Sequence, residues 1–177
     1  MKDKVKVIIF DADDTLWDNQ TYFDRAEDVF TDELKEYGTA EELSDALYKT
    51  ESANMPVLGY GAKAVCISMM ETALRVSDSK VPGKNLSRIL SSAKSLLSLP
   101  ATPLPGVART LDALDKTGRY RLILMTKGDM LDQQNKIKRS GLDKYFYRVI
   151  VVTKKGIKEY LDICNVEQVA PSQIAVV

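Results

Sequence analysis

The sequence predicts an α/β protein: a parallel sheet with helices on both faces, interrupted just after its first strand by an all-helical insertion. Three observations carry this. The run Val7-Ile8-Ile9-Phe10 is apolar throughout and reads as a buried strand. From Tyr120 onward, apolar runs alternate with helical periodicity, the pattern of strands joined by crossover helices. Between these regions the spacing is purely helical, and the proline-rich "LPATPLPG" (99–106) separates the two patterns. The expected division is therefore 1–17 with 103–177 as the sheet domain and 18–102 as the inserted helical domain.

Each element follows from its own residues. Residues 5–10 form the first strand. From Asn19, the positions Tyr22, Ala26, Val29/Phe30, Leu34 and Tyr37 recur every three or four residues, one face of a helix ending near Gly38. Thr39 with Glu42 fits a capping box, and Leu43, Ala46 and Leu47 continue the next helix until Pro56 and Gly59. Ala62, Val65/Cys66, Met69/Met70 and Ala73/Leu74 give a third helix; Leu86, Ile89/Leu90, Ala93 and Leu96/Leu97 give a fourth. Beyond the prolines come a helix over 107–117 stopped by Gly118, the strand "YRLILMT", a helix near 129–140 ended by Gly141, the strand "YRVIVV", a helix near 157–164 and the apolar run "QIAVV". There is no internal repeat or low-complexity tract.

Composition narrows the function classes. The 177 residues are 45% hydrophobic and 28% charged, enough for a good core. Lys plus Arg equals Asp plus Glu at 25 each, so no net field draws the chain to nucleic acid or an anionic membrane. No apolar stretch approaches the roughly 20 residues of a membrane helix. "VIIF" is too short for a signal sequence and runs into acid. The expected location is the cytoplasm. Cys66 and Cys164 are expected as buried thiols. No His occurs, which excludes Ser-His-Asp chemistry and His-ligated zinc and leaves carboxylate, Lys, Tyr or Cys as acid or base.

In open parallel sheets, ligands bind at the carboxyl ends of the strands. Three such ends are polar here: Asp11, Asp13 and Asp14; Thr126-Lys127-Gly128-Asp129; and Thr153-Lys154-Lys155. Crowded carboxylates call for a cation, and Mg²⁺ suits oxygen ligands. A hydroxyl, a lysine and free backbone N–H groups suit a phosphate. Together these describe phosphoryl transfer, with Asp as a competent nucleophile. Asp14 is expected to bond locally, and Lys127 or Asp129 to start the following helix.

The same residues carry a family resemblance. "VIIFDADDTLW" resembles the first motif of the haloacid dehalogenase-like (HAD) hydrolases, a hydrophobic strand followed by D-x-D-x-T. "LILMTKGD" resembles the second and "VVTKKGIKEY" the region of the third. The resemblance implies a Rossmann-like core with a C1 helical cap. It implies Asp11 as nucleophile and Asp13 as general acid and then base. The Asp11 carboxylate and the Asp13 main-chain carbonyl would ligate Mg²⁺, and Thr126, Lys127 and Lys155, or its rival Lys154, would bind the substrate phosphate. The implied reaction is Mg²⁺-dependent hydrolysis of a small phosphorylated metabolite through an aspartyl-phosphate. Trp17, Asp18, Asn19 and the "VLGYG" stretch with Tyr60 are candidates for facing the substrate. Carboxylate crowding predicts that Asp11→Asn holds or raises stability.

Rival readings remain. Dehalogenases and phosphonate hydrolases of this superfamily need no acid two positions after the nucleophile; phosphomutases do keep it. A phospho-accepting receiver module gathers similar residues but brings in its second strand soon after the first. A non-catalytic phosphate-binding protein is the third class. Finally, "SQIAVV" resembles the strand before the family's fourth motif, which carries a further metal-anchoring carboxylate. With Val177 the last residue, the sequence is expected to lack the last part of the core and to bind Mg²⁺ poorly.

Overall fold

The protein, described over residues 4–177 by a computed structural model, divides into two compact units. One holds the chain up to Asn19 together with Pro100–Val177; the other is Gln20–Leu99.

The first unit is a four-stranded parallel sheet. Its strands are β1 (Val7–Phe10), β2 (Arg121–Lys127), β3 (Arg148–Val152) and β4 (Ile174–Val176), in the spatial order β3-β2-β1-β4. β1 pairs with β2 through Ile8↔Leu122 and Phe10↔Leu124, and with β4 through Val7↔Ile174. All four β1 residues are buried, as expected for a strand covered on both faces. Side chains alternate between the faces. Ile8, Phe10, Leu122 and Leu124 pack with Leu111 of α5 (Val107–Lys116) and Ile137 of α6 (Met130–Ser140). Val7, Ile9, Ile123 and Met125 pack on the other face with Ile163 of α7 (Ile157–Glu167). The Phe10 and Phe146 rings meet in a T-shaped contact, 6.0 Å between centroids.

At the amino end of the sheet, Glu167 is buried and ion-paired with Arg121 at 2.8 Å and Arg148 at 3.5 Å. Arg121 also donates to the Glu167 carbonyl, which ties the end of α7 to the starts of β2 and β3.

The second unit is helical: α1 (Gln20–Glu33), α2 (Ala40–Leu58), α3 (Ala62–Val76) and α4 (Gly83–Ser95), the last continued by a short 3₁₀ turn at Leu96–Ser98. Their apolar faces meet in one core of Phe30, Leu34, Leu43, Leu47, Met69 and Ile89 among others. The capping box forms: Thr39 Oγ1 accepts from Glu42 N, and the Glu42 carboxylate accepts from Thr39 N at 2.8 Å. α2 does not stop at Pro56 but runs on to Leu58, where Gly59, at φ +70, donates its N–H to Met55 O. A proline within the last turn removes only one hydrogen bond, and the glycine three residues past it supplies the reversal. Cys164 is buried but Cys66 is only half-buried; both are free thiols. Burial pushes the Cys66 thiol up, against a smaller opposite pull from Lys94.

Candidate active site

β1 ends at Phe10, and the chain turns at once. Thr15 N and Leu16 N both donate to Ala12 O, which curls residues 12–16 into a tight loop. Asp14 sits at φ +58, and its carboxylate accepts from Asn19 N at 2.9 Å, the local bonding expected of it. Trp17 is fully buried and bridges to Asp13 and Pro103. It therefore belongs to the core and is not a substrate-facing side chain.

Asp11 Oδ1 accepts from Ala12 N at 2.7 Å and from the Lys155 ammonium. Oδ2 takes neither bond, and the side chain is 43% exposed, so one carboxylate oxygen is presented outward. Lys155 stands just beyond β3 with its side chain 15% exposed, while its neighbour Lys154 is exposed. Of the two, it is Lys155 that faces the Asp11 carboxylate.

Asp13 is held differently. Oδ1 accepts from Trp17 Nε1 at 2.8 Å, and Oδ2 from Gln133 Nε2 at 2.9 Å. Lys136 Nζ lies 3.1 and 3.2 Å from the two oxygens and also donates to Asn19 Oδ1 at 2.8 Å. Gln133 and Lys136 are on the sheet-facing side of α6, whose N-cap is Asp129, accepting from Asp132 N. Gly128, at φ +134, precedes it; a Cβ there would come within 3.0 Å of Gln133 Nε2. Asp132, on the same face, is buried, and neither of its oxygens accepts a hydrogen bond. Its nearest cation is Lys136 at 3.7 Å. Burial holds the Asp132 carboxyl above the usual carboxylate range, partly opposed by Lys136 and reinforced by Asp13.

Thr126 is buried near the end of β2, two residues past the Leu124 partner of Phe10, and its hydroxyl donates to Lys127 O at 3.3 Å. Lys127 is exposed and, by strand alternation, on the opposite face from Thr126.

The implied Mg²⁺ fits this site poorly. Mg²⁺ demands near-octahedral oxygen coordination. Among the described residues, no three His, Cys, Asp or Glu side chains gather into a group able to hold a metal. The Asp13 carboxylate is ringed by donors, which leaves the outward Asp11 oxygen and main-chain carbonyls. The positive charge facing the two carboxylates comes from Lys155 and Lys136.

The family model of haloacid dehalogenase-like hydrolases matches residues 5–177. The chain belongs to this family. A haloacid dehalogenase-like hydrolase from Xanthomonas campestris is 30% identical with a TM-score of 0.89, over 97% of this chain and 72% of that one. Two more distant structures share the fold. L-2-haloacid dehalogenase from Xanthobacter autotrophicus is 20% identical, TM-score 0.63, over 97% of this chain and 69% of that one. A predicted phosphoglycolate phosphatase from Haemophilus somnus is 18% identical, TM-score 0.58, over 97% of this chain and 76% of that one. No curated protein matches the sequence.

For this HAD-like hydrolase, the sequence singles out Asp11, Asp13 and Lys155 or Lys154, and does not single out Gln133, Lys136 and Asp132, which the structure places around Asp13. A signal was present. In "DMLDQQNKIKRSG", the helical positions 132, 133, 136 and 137 share one face, and only Ile137 of the four is apolar. An inward face so polar calls for an internal partner.

Proposed function

We propose that the protein hydrolyses a phosphomonoester through a covalent intermediate on Asp11. The observation that carries this reading is Asp13, two residues after Asp11 and surrounded by groups that hold it in place. A departing halide needs no proton, so a dehalogenase has no work for that carboxyl. A departing alkoxide does need one, and general acid help accelerates its loss by roughly 10²–10⁴-fold.

In this scheme the outward oxygen of Asp11 attacks phosphorus, and the P–O bond to the leaving group breaks. Both Asp13 oxygens accept hydrogen bonds in the structure, so Asp13 first takes up a proton from solvent and then gives it to the leaving oxygen. Asp13 then takes a proton from water, which attacks phosphorus and releases phosphate with Asp11 regenerated. Lys155 faces the oxygens of the transferring group, and Thr126 joins it once its hydroxyl turns from the Lys127 carbonyl. No step is routed through Mg²⁺, which enters only as a condition of assay. The helical unit Gln20–Leu99 follows the first motif directly, and that place in the chain supports its reading as a cap that selects the leaving group. Balanced charge, and the absence among the described residues of any helix long and apolar enough to cross a membrane, favour a small cytoplasmic substrate.

The test is turnover by the purified protein. p-Nitrophenyl phosphate and a panel of phosphorylated metabolites are assayed with Mg²⁺ and after chelation, beside halide release from 2-chloropropionate. Phosphate release that disappears in Asp11→Asn supports the proposal. Halide release alone makes the protein a dehalogenase, and neither activity makes it a binding protein.

A further inference from the structure

We propose that Lys136 is a positioning residue, whose buried ammonium holds the Asp13 carboxyl in the orientation from which it serves the leaving oxygen. This rests on the phosphomonoester reading above.

Lysine is almost never fully buried unless paired, and the Lys136 side chain is only 3% exposed. Packing alone would be met by Leu or Met at that point of α6. Instead the helix places Asp132, Gln133 and Lys136 inward. The three ammonium protons have three directions to satisfy. They meet both oxygens of Asp13 and, at 2.8 Å, Asn19 Oδ1; Asp132 stands at 3.7 Å, beyond hydrogen-bond reach. Gln133 adds a donor to Asp13 Oδ2, and Trp17 a donor to Oδ1. The carboxyl is thus gripped from α6 on one side and from its own loop on the other, which leaves its side-chain torsions little freedom.

Two features argue that this grip is built. Gly128 leaves space for the Gln133 amide where any larger residue would press on it. Asp132 lies beside Lys136 without taking a hydrogen bond, so the ammonium's bonds go to Asp13 and Asn19. Asp13 is 24% exposed, whereas Lys136 is closed off. Lys136 therefore acts through Asp13 and does not touch a substrate.

The test uses the full chain and two readouts. The first is the rate on aryl phosphates of graded leaving-group acidity. Lys136→Gln should lower kcat about 10–100-fold for the poorest leaving groups, the range for residues that orient a reacting group, with KM little changed. The loss should shrink as the leaving group improves. The double variant Lys136→Gln/Asp13→Asn should be no slower than Asp13→Asn alone, and Lys136→Arg should recover much of the rate. The second readout is the indole N–H resonance of Trp17, the single tryptophan, which donates to Asp13. It should shift in Lys136→Gln and return toward its wild-type place in Lys136→Arg. A uniform loss for all leaving groups, additive losses in the double variant, or an unmoved indole resonance would overturn the proposal. Wild-type inability to cleave any phosphate ester would refute the phosphomonoester reading instead, and the indole resonance would then decide the positioning role alone. Should Lys136→Gln fail to fold, Lys136→Met/Asp132→Asn removes both buried charges and is read the same way.

Discussion

Lys155 donates to Oδ1 of Asp11 across 144 residues of chain. The contact joins the end of β1 to the loop after β3, two strands away in the sheet. Lys155→Met should cut kcat/KM at least about 100-fold, the scale of losing one preorganised charge at the transferring group. Lys154→Met should change it less than about 2-fold, since solvated surface lysines contribute little. Steady-state kinetics of both variants check this; equal effects would remove the assignment of Lys155.

Asp11→Asn should abolish hydrolysis with the fold intact by circular dichroism. Its stability should fall, by about 1 kcal/mol, because the substitution leaves the half-buried Lys155 ammonium without its carboxylate. This reverses the expectation from crowding: each carboxylate already faces its own ammonium. Urea denaturation at pH 7 measures the change.

Asp13→Asn keeps the nucleophile but loses the proton donor. The rate should drop roughly 10²–10⁴-fold on alkyl phosphates and distinctly less on activated aryl phosphates. Equal losses on both would leave Asp13 without an acid role.

Glu51 in α2 gives a test in pH. Burial, and then repulsion from Glu27, raises its carboxyl above the ordinary value of 4.5. The folded state therefore binds the proton more tightly than the unfolded chain, and ionised Glu51 opposes folding above the folded-state value. Glu51→Gln should be more stable than wild type at pH 7, and the gain should fade as pH falls through the raised value toward 4.5. Thermal melts of the two proteins from pH 4 to pH 7 show whether the curves converge on the acid side.

The Glu167 cluster should respond unequally to its two signs. Arg121→Met/Arg148→Met leaves a buried carboxylate uncompensated and should cost about 3–5 kcal/mol. Glu167→Gln leaves two half-exposed arginines and should cost only about 1 kcal/mol. Urea unfolding of both variants at pH 7 tests the asymmetry.

The sequence by itself determined the α/β class, the order of the elements and the strand-end carboxylates. These depend on local causes: the buried run Val7–Phe10, the alternation of periods after residue 106, the Thr39–Glu42 capping box and the abrupt change from Phe10 to Asp11. Gly59 ends α2 as its residue type suggests, whereas Pro56 does not, because its effect depends on distance from the helix end and only the folded helix shows that the last turn closes at Leu58. Which of Lys154 and Lys155 faces Asp11 was not legible either, since adjacent residues differ only in which way the loop after β3 turns them. Periodicity puts Lys136, Gln133 and Asp132 on one face of α6, but nothing local marks that face as inward. Only the tertiary structure, by laying α6 against the loop after β1, turned that polar face inward, and burial of its charges then required that Lys136 and Asp13 meet.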